Sequence, residues 1–233
     1  MINISKWKNK FGLIGMSDGT YWEGGDALHK TGVIAGLKSL GADVNYSLAD
    51  FIKALEATAT GEAGKHKRSH EHEWKGHWKS TRDQYIGLVM GLQWIRYQVE
   101  AHYVRSFIVN NVGIGFDIWS PTFMAFTHRC IGLHLPKFYL VLGDLLFILK
   151  LLLRTYIFKT KETSTRQNDI WYAIMASVKR KEIYTPLIVS MLRRDCIASH
   201  GSIQAVLDVY YSGDAPPINE IARPIINRYL IKK

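Results

Sequence analysis

The chain has 233 residues and a mass of 26.6 kDa, enough to bury a sizeable core. With 47% hydrophobic and 21% charged residues it falls outside the disordered class, and a formal charge of +10 favours an anionic partner: nucleic acid, an acidic glycan or a lipid headgroup surface. Cys130 and Cys196 lie far apart with no CxxC pair, which excludes a disulfide scaffold and a cysteine-rich zinc domain; they read as reduced thiols.

No Gly/Ser/Pro-rich linker, internal repeat or low-complexity tract divides the chain, so a single domain over residues 1–233 is expected. The opening stretch, MINISKWKNKFGLIG, has no uninterrupted apolar segment and predicts no secretory signal. Residues 10–21 allow a short hairpin at a Ser-Asp-Gly turn, and strand signals are thin elsewhere. Asp26, after Gly24 and Gly25, stands where it could cap a helix through ALHKTGVIAGLKSL that stops at Gly41. Ser47 and Asp50 form a capping-box pattern for LADFIKALEATAT, closed by Gly61. Thr81 and Gln84 repeat that pattern before RDQYIGLVMGLQWIRYQVEAHYV. Pro121, Pro136 and Pro186 sit where a first helical turn tolerates proline, and further helices fit residues 168–181, 202–211 and 217–229, the last kinked or split at Pro224. The expected fold is all-α, with successive helices joined into antiparallel hairpins.

One segment tests a membrane reading. Residues 138–158, FYLVLGDLLFILKLLLRTYIF, are long enough to span a bilayer but carry Asp144, Lys150 and Arg154. An interior charge costs roughly 2.5–3.5 kcal/mol on insertion, so the segment reads as the central helix of a soluble bundle, with no transmembrane span.

Two helix starts share a construction: Asp26 stands above Gly32 and Gly36, and Asp83 stands above Gly87 and Gly91. Residues four apart share a helix face, and interior glycine costs about 1 kcal/mol against alanine, so each track needs a close neighbour, either a helix or a ligand. In the plainer reading the aspartates are caps and the glycines are packing contacts. In the sharper one, Asp26 and Asp83 open into one cleft and divide acid and base work, or hold a sugar by paired hydrogen bonds.

Asp144 lies among Leu140, Ile148 and Leu151, so it needs a partner, and Arg82 suits a buried carboxylate; a structural ion pair and a ligand site both remain open. The loop KHKRSHEHEWKGHWKS carries His66, His70, His72 and His77, but its spacing matches no compact zinc motif, and no metal is expected. Trp74 and Trp78 among its basic residues suit a sugar ring or a stacked base. Basic clusters at 179–181, 193–194 and 232–233 are scattered, and no recognition-helix, P-loop, GxGxxG, GxSxG or HExxH pattern accompanies them. Nucleic acid is therefore an unfavoured partner, and no cofactor is called for.

The blocks GGDALHKTG, STRDQYIGLVMGL, GDLLFILKLLLR and VLDVYYSGDAPPINEIARPII together resemble a group of all-α proteins encoded by bacteriophages and bacteria. Gly24, Gly25 and Asp26 match its Gly-Gly-Asp element. Arg82, Asp83 and Gln84 match its Ser-Arg-Asp-Gln element, with Thr81 in place of serine. Tyr210, Tyr211, Pro216 and Pro217 match its tyrosine-rich stretch before Pro-Pro. A looser likeness is to the α/α-toroid folds of glycan-processing enzymes, for which this chain is short, so a toroid here would be incomplete.

The resemblance implies a phage-encoded protein of the host cytoplasm or the assembled virion, a possible tail accessory component with phage structural proteins as partners. Its expected role is to present an acidic, aromatic-lined cleft to a glycan or similar polar ligand, hydrolase-like if it catalyses anything. Asp26 and Asp83 are the candidate catalytic pair. Trp22, His29, Trp74, Trp78, Arg82, Gln84 and Asp144 are candidate ligand contacts. Two other classes stay open: a non-catalytic structural or assembly protein, and a peripheral membrane protein using residues 138–158.

Overall fold

A computed structural model describes residues 1–17, 19, 22–23, 25–62, 64–71, 82–95, 121–132, 135–178 and 183–231. The side chains of Trp22, Glu23 and Arg82 are not among what it describes. The fold is all-α. In chain order the α-helices among these residues are α1 (Ala27–Ser39), α2 (Leu48–Thr58), α3 (Arg82–Leu92), α4 (Pro121–Ile131) and α5 (Lys137–Leu153), followed by α6 (Thr163–Val178), α7 (Thr185–His200), α8 (Ile203–Tyr210) and α9 (Ile218–Ile226). A two-stranded hairpin, β1 (Met16–Ser17) with β2 (Trp22–Glu23), pairs Met16 with Glu23 and Ser17 with Trp22. Asp18 of the expected Ser-Asp-Gly turn lies outside the described residues.

The helix ends follow local chemistry. Ser47 Oγ accepts the Asp50 N–H at 3.1 Å and Asp50 Oδ2 accepts the Ser47 N–H at 3.3 Å, closing the capping box of α2. Gly41, at φ +94°, ends α1 in a Schellman motif: its N–H reaches the Lys38 carbonyl while the Ala42 N–H reaches that of Leu37. The Ser202 hydroxyl caps α8 through the Ala205 N–H. Arg154–Phe158 and Asn227–Ile231 each continue a helix as a π turn, the second just beyond Pro224 inside α9.

One expectation about capping does not hold. Asp26 occupies the N-cap position of α1 but makes no capping hydrogen bond. The Gln84 amide reaches across to α1, with its oxygen on the His29 N–H; Thr81, its expected capping partner, lies outside the described residues.

The glycine tracks found their neighbour, which is each other. A Cβ on Gly32 would stand 2.1 Å from the Gly87 carbonyl oxygen, and one on Gly87 would stand 2.3 Å from that of His29. Toward the C-terminal ends Gly36 abuts Met90 and Gly91 abuts Gly32. Position thus rises together along both helices, so α1 and α3, which are not successive in the chain, run parallel. The parallel arrangement brings both N-termini to one end of the molecule.

The core continues through α4 to α9, centred on Trp171, Phe147, Ile188 and Ile225. Helix α5 is not the central helix its composition suggested. It buries Gly143, Asp144, Phe147, Ile148 and Leu151, while Phe138, Leu145, Leu149 and other apolar residues face outward. Apolar content around a whole helix does not say which side meets the core. Among the described residues no helix is long and apolar enough to cross a membrane.

Candidate functional site

The parallel packing of α1 and α3 assembles a polar seam at their N-termini. Gln84 Nε2 donates to Asp26 Oδ1 at 2.7 Å, and Gln84 Oε1 accepts the His29 backbone N–H at 3.2 Å. The His29 ring lies with Nδ1 2.7 Å from the Asp83 carbonyl oxygen, which places a proton on Nδ1. Asn168 Nδ2, from α6, donates to Asp83 Oδ1 at 2.8 Å. Asn168 in turn accepts from Gln167 Nε2 at 2.8 Å.

Behind this layer Gln167 Oε1 accepts the Trp171 indole N–H at 2.6 Å and the Tyr211 hydroxyl at 3.1 Å, and it lies 3.2 Å from His29 Nε2. His29, Gln84, Gln167 and Asn168 are all buried, whereas Asp26 and Asp83 are only partly covered. Buried amides with satisfied partners hold fixed orientations, so the two carboxylates are set in place from behind.

The electrostatics mark both aspartates as neighbours of one phenol. Burial pushes the Tyr210 hydroxyl up to about 12, and the charges of Asp26 and Asp83 push in the same direction. At neutral pH Tyr210 is therefore a hydroxyl that donates. Its ring meets the Tyr211 ring edge-on at 4.8 Å between centroids. Burial lowers the His29 pKa, against the raising effects of the Asp83 carbonyl and the two aspartate charges.

Asn168 also borders a cavity of about 340 Å³ between α3, α4, α5 and α6. Phe123, Phe126 and Phe147 form apolar walls, and Lys150, Thr165 and Asp169 add polar groups. A volume of this size suits a small ligand, since such sites begin near roughly 300 Å³. Asn168 both lines this space and touches Asp83.

Asp144 lies apart from the seam, in a pair of its own. Arg129 Nη2 donates to both its oxygens, at 2.7 and 2.8 Å, and the Tyr172 hydroxyl adds a third bond at 2.7 Å. The partner shown for Asp144 is thus Arg129 on α4; the side chain of Arg82, the partner expected, lies outside what is described. Beyond α5, Arg154 in the π turn and Arg166 on α6 bind Asp195, and Lys150 near the end of α5 reaches Asp169 at 2.8 Å. The buried arginines and carboxylates are thus paired, as charges inside a protein must be.

Of the remaining candidates, Trp74 and Trp78 lie outside the described residues, as do the side chains of Trp22 and Arg82. In the histidine-rich loop, His66 is buried and meets Thr58 Oγ1 at 3.0 Å. His70 packs on Phe11, while His72 and His77 lie outside the described residues. Among the described residues no group of three or more His, Cys, Asp or Glu could hold a metal ion.

Sequence reasoning missed Gln167, Asn168 and Arg129. Arg166, Gln167, Asn168 and Asp169 form an unbroken polar run immediately before IWYAIMA. Four consecutive polar residues joined to a fully apolar stretch are a sign of polar groups carried inside.

These features define an all-α protein with a buried amide network holding two partly exposed aspartates. Comparison with protein-family models, curated proteins and solved structures finds no match at any of the three levels.

Proposed function

We propose that the chain binds a polyhydroxylated ligand, a glycan or a similar polar molecule, at the Asp26–Asp83–Tyr210 end of the α1–α3 pair. The observation that carries this reading is that two partly exposed carboxylates stand at the paired N-termini of α1 and α3, each held from behind by a buried amide. Two acceptors and one donor at a partly open rim match a pair of sugar hydroxyls, which donate to carboxylates and accept from a phenol. The aromatic cavity behind Asn168 offers an apolar wall for a ring face. If a reaction occurs, Asp26 and Asp83 are the proton carriers, and His29 and Gln84 are positioning residues. The sequence resemblance supports a phage or bacterial setting, with virion structural proteins as partners.

A second reading, a non-catalytic structural or assembly protein, is favoured by one observation. The Gln84, Gln167 and Asn168 amides bond from one element to another, so the network also welds α1, α3, α6 and the end of α8 together.

Titration calorimetry against a panel of neutral and acidic oligosaccharides separates the two. The proposal expects binding by the parent protein and at least a tenfold loss in the Asp26→Asn/Asp83→Asn variant, with the melting temperature kept. No binding across the panel, or binding unchanged in that variant, leaves the structural reading.

A further inference from the structure

Helix α5 carries a second feature, independent of the seam. Across residues 138–158 the exposed positions are Phe138, Val141, Leu142, Leu145, Leu146, Leu149, Leu152, Tyr156, Ile157 and Phe158, with no charge among them. From these fractional exposures the apolar patch amounts to about 1,000 Å², counting roughly 150–250 Å² for each whole aromatic side chain, beyond the roughly 300–600 Å² typical of a monomer's largest patch.

The arrangement within the patch is specific. Phe138, Leu142, Leu145, Leu149, Leu152 and Tyr156 are spaced alternately four and three residues apart, the rhythm of a coiled-coil seam. At 3.6 residues per turn, the first five fall within a sector of about 80°, and the whole stripe spans about 27 Å. The stripe is also symmetric about residue 147. Leu145 mirrors Leu149, Leu142 mirrors Leu152, and Phe138 mirrors Tyr156. A two-fold axis at that point would set leucine against leucine and aromatic against aromatic along an antiparallel helix pair.

We propose that the exposed face of α5 is the interface of a homodimer, with the α5 helices of two copies packed antiparallel about residue 147. A two-fold interface must be self-complementary, and this stripe is so by its own order. The six stripe residues account for somewhat over half of that area, so pairing them buries about 1,200 Å² in total, the lower end of the range for stable interfaces. A helix lying on an anionic membrane is instead expected to carry lysine and arginine along its polar face. Here the face opposite the stripe is turned into the core.

Sedimentation velocity on the parent protein at tens of micromolar should give twice 26.6 kDa. Leu145→Glu with Leu149→Glu should give 26.6 kDa, with the far-UV helical spectrum kept, since both positions are exposed. Orientation is read by mild oxidation of single-cysteine additions. A mixture of Leu142→Cys and Leu152→Cys chains should form a disulfide-linked pair, while Leu142→Cys alone should not link to itself. A monomeric parent, a dimer that survives the double glutamate variant, or self-linking by Leu142→Cys would each overturn the proposal. So would a monomer that binds vesicles of anionic phospholipid through the same leucines.

Discussion

Gly32 and Gly87 meet backbone to backbone, with the Gly87 carbonyl oxygen occupying the place where a side chain on Gly32 would begin. This contact sets the distance between α1 and α3 and, through it, the meeting of Asp26 with Gln84.

Gly32→Ala should therefore destabilise. In an open helix the change would gain about 1 kcal/mol, but overpacking here should reverse it to a loss of about 2–3 kcal/mol or more. Gly87→Ala should behave alike, having the His29 backbone in its way. Thermal melts check this, and an unchanged or raised Tm for Gly32→Ala would mean that the helices do not pack this closely.

Arg129 and Asp144 supply a second test. Asp144→Asn leaves a buried guanidinium without its counter-charge and should cost about 3–5 kcal/mol, whereas Arg129→Met with Asp144→Leu should recover much of that. Denaturant titration of both variants measures the difference. Equal losses would show that packing, not charge, holds this site.

Tyr210 reports on the two aspartates directly. Neutralising both in Asp26→Asn/Asp83→Asn removes the charges that oppose phenolate formation, so the Tyr210 pKa should fall from about 12 toward the ordinary value, short of reaching it because burial remains. Ultraviolet pH titration, with Tyr210→Phe as the blank, reads the change. A pKa that does not move would mean that neither carboxylate faces the phenol.

His66 makes stability depend on acid. Burial holds its pKa at about 4 in the folded chain, below the ordinary 6.5, so between those values only the unfolded chain binds the proton. Stability should fall as pH drops from about 6.5 to 4, by up to about 3 kcal/mol from this residue. His29, shifted in the same direction, adds to the loss. Urea midpoints for the parent and His66→Gln across this range check it; parallel curves would exclude His66 as the source.

Local signals in the sequence carried most of the helix list, because Ser47 with Asp50, Gly41, Ser202 and the prolines act within a few residues of themselves. The glycine tracks were legible as demands for a close neighbour. Their parallel pairing was not, since nothing near Gly32 specifies that Gly87 answers it. The partnership of Asp144 with Arg129 was not legible for the same reason. Arg82 and Arg129 look equivalent in a sequence, and only the packing of α4 on α5 selects Arg129. Asp26 resembled a cap because its position is that of a cap, while its carboxylate turns toward Gln84.

The seam joins His29 to Tyr211, 182 residues later, and the Trp7 indole N–H reaches the Asp214 carbonyl across 207. During synthesis at about 5–20 residues per second, His29 would wait roughly 10–40 s for Tyr211 to be made. Through that interval α1 and α3 hold their buried polar groups without the C-terminal residues that complete them. Growing chains that end before Tyr211 would therefore leave this seam open to water, and the residue just after α8 closes it.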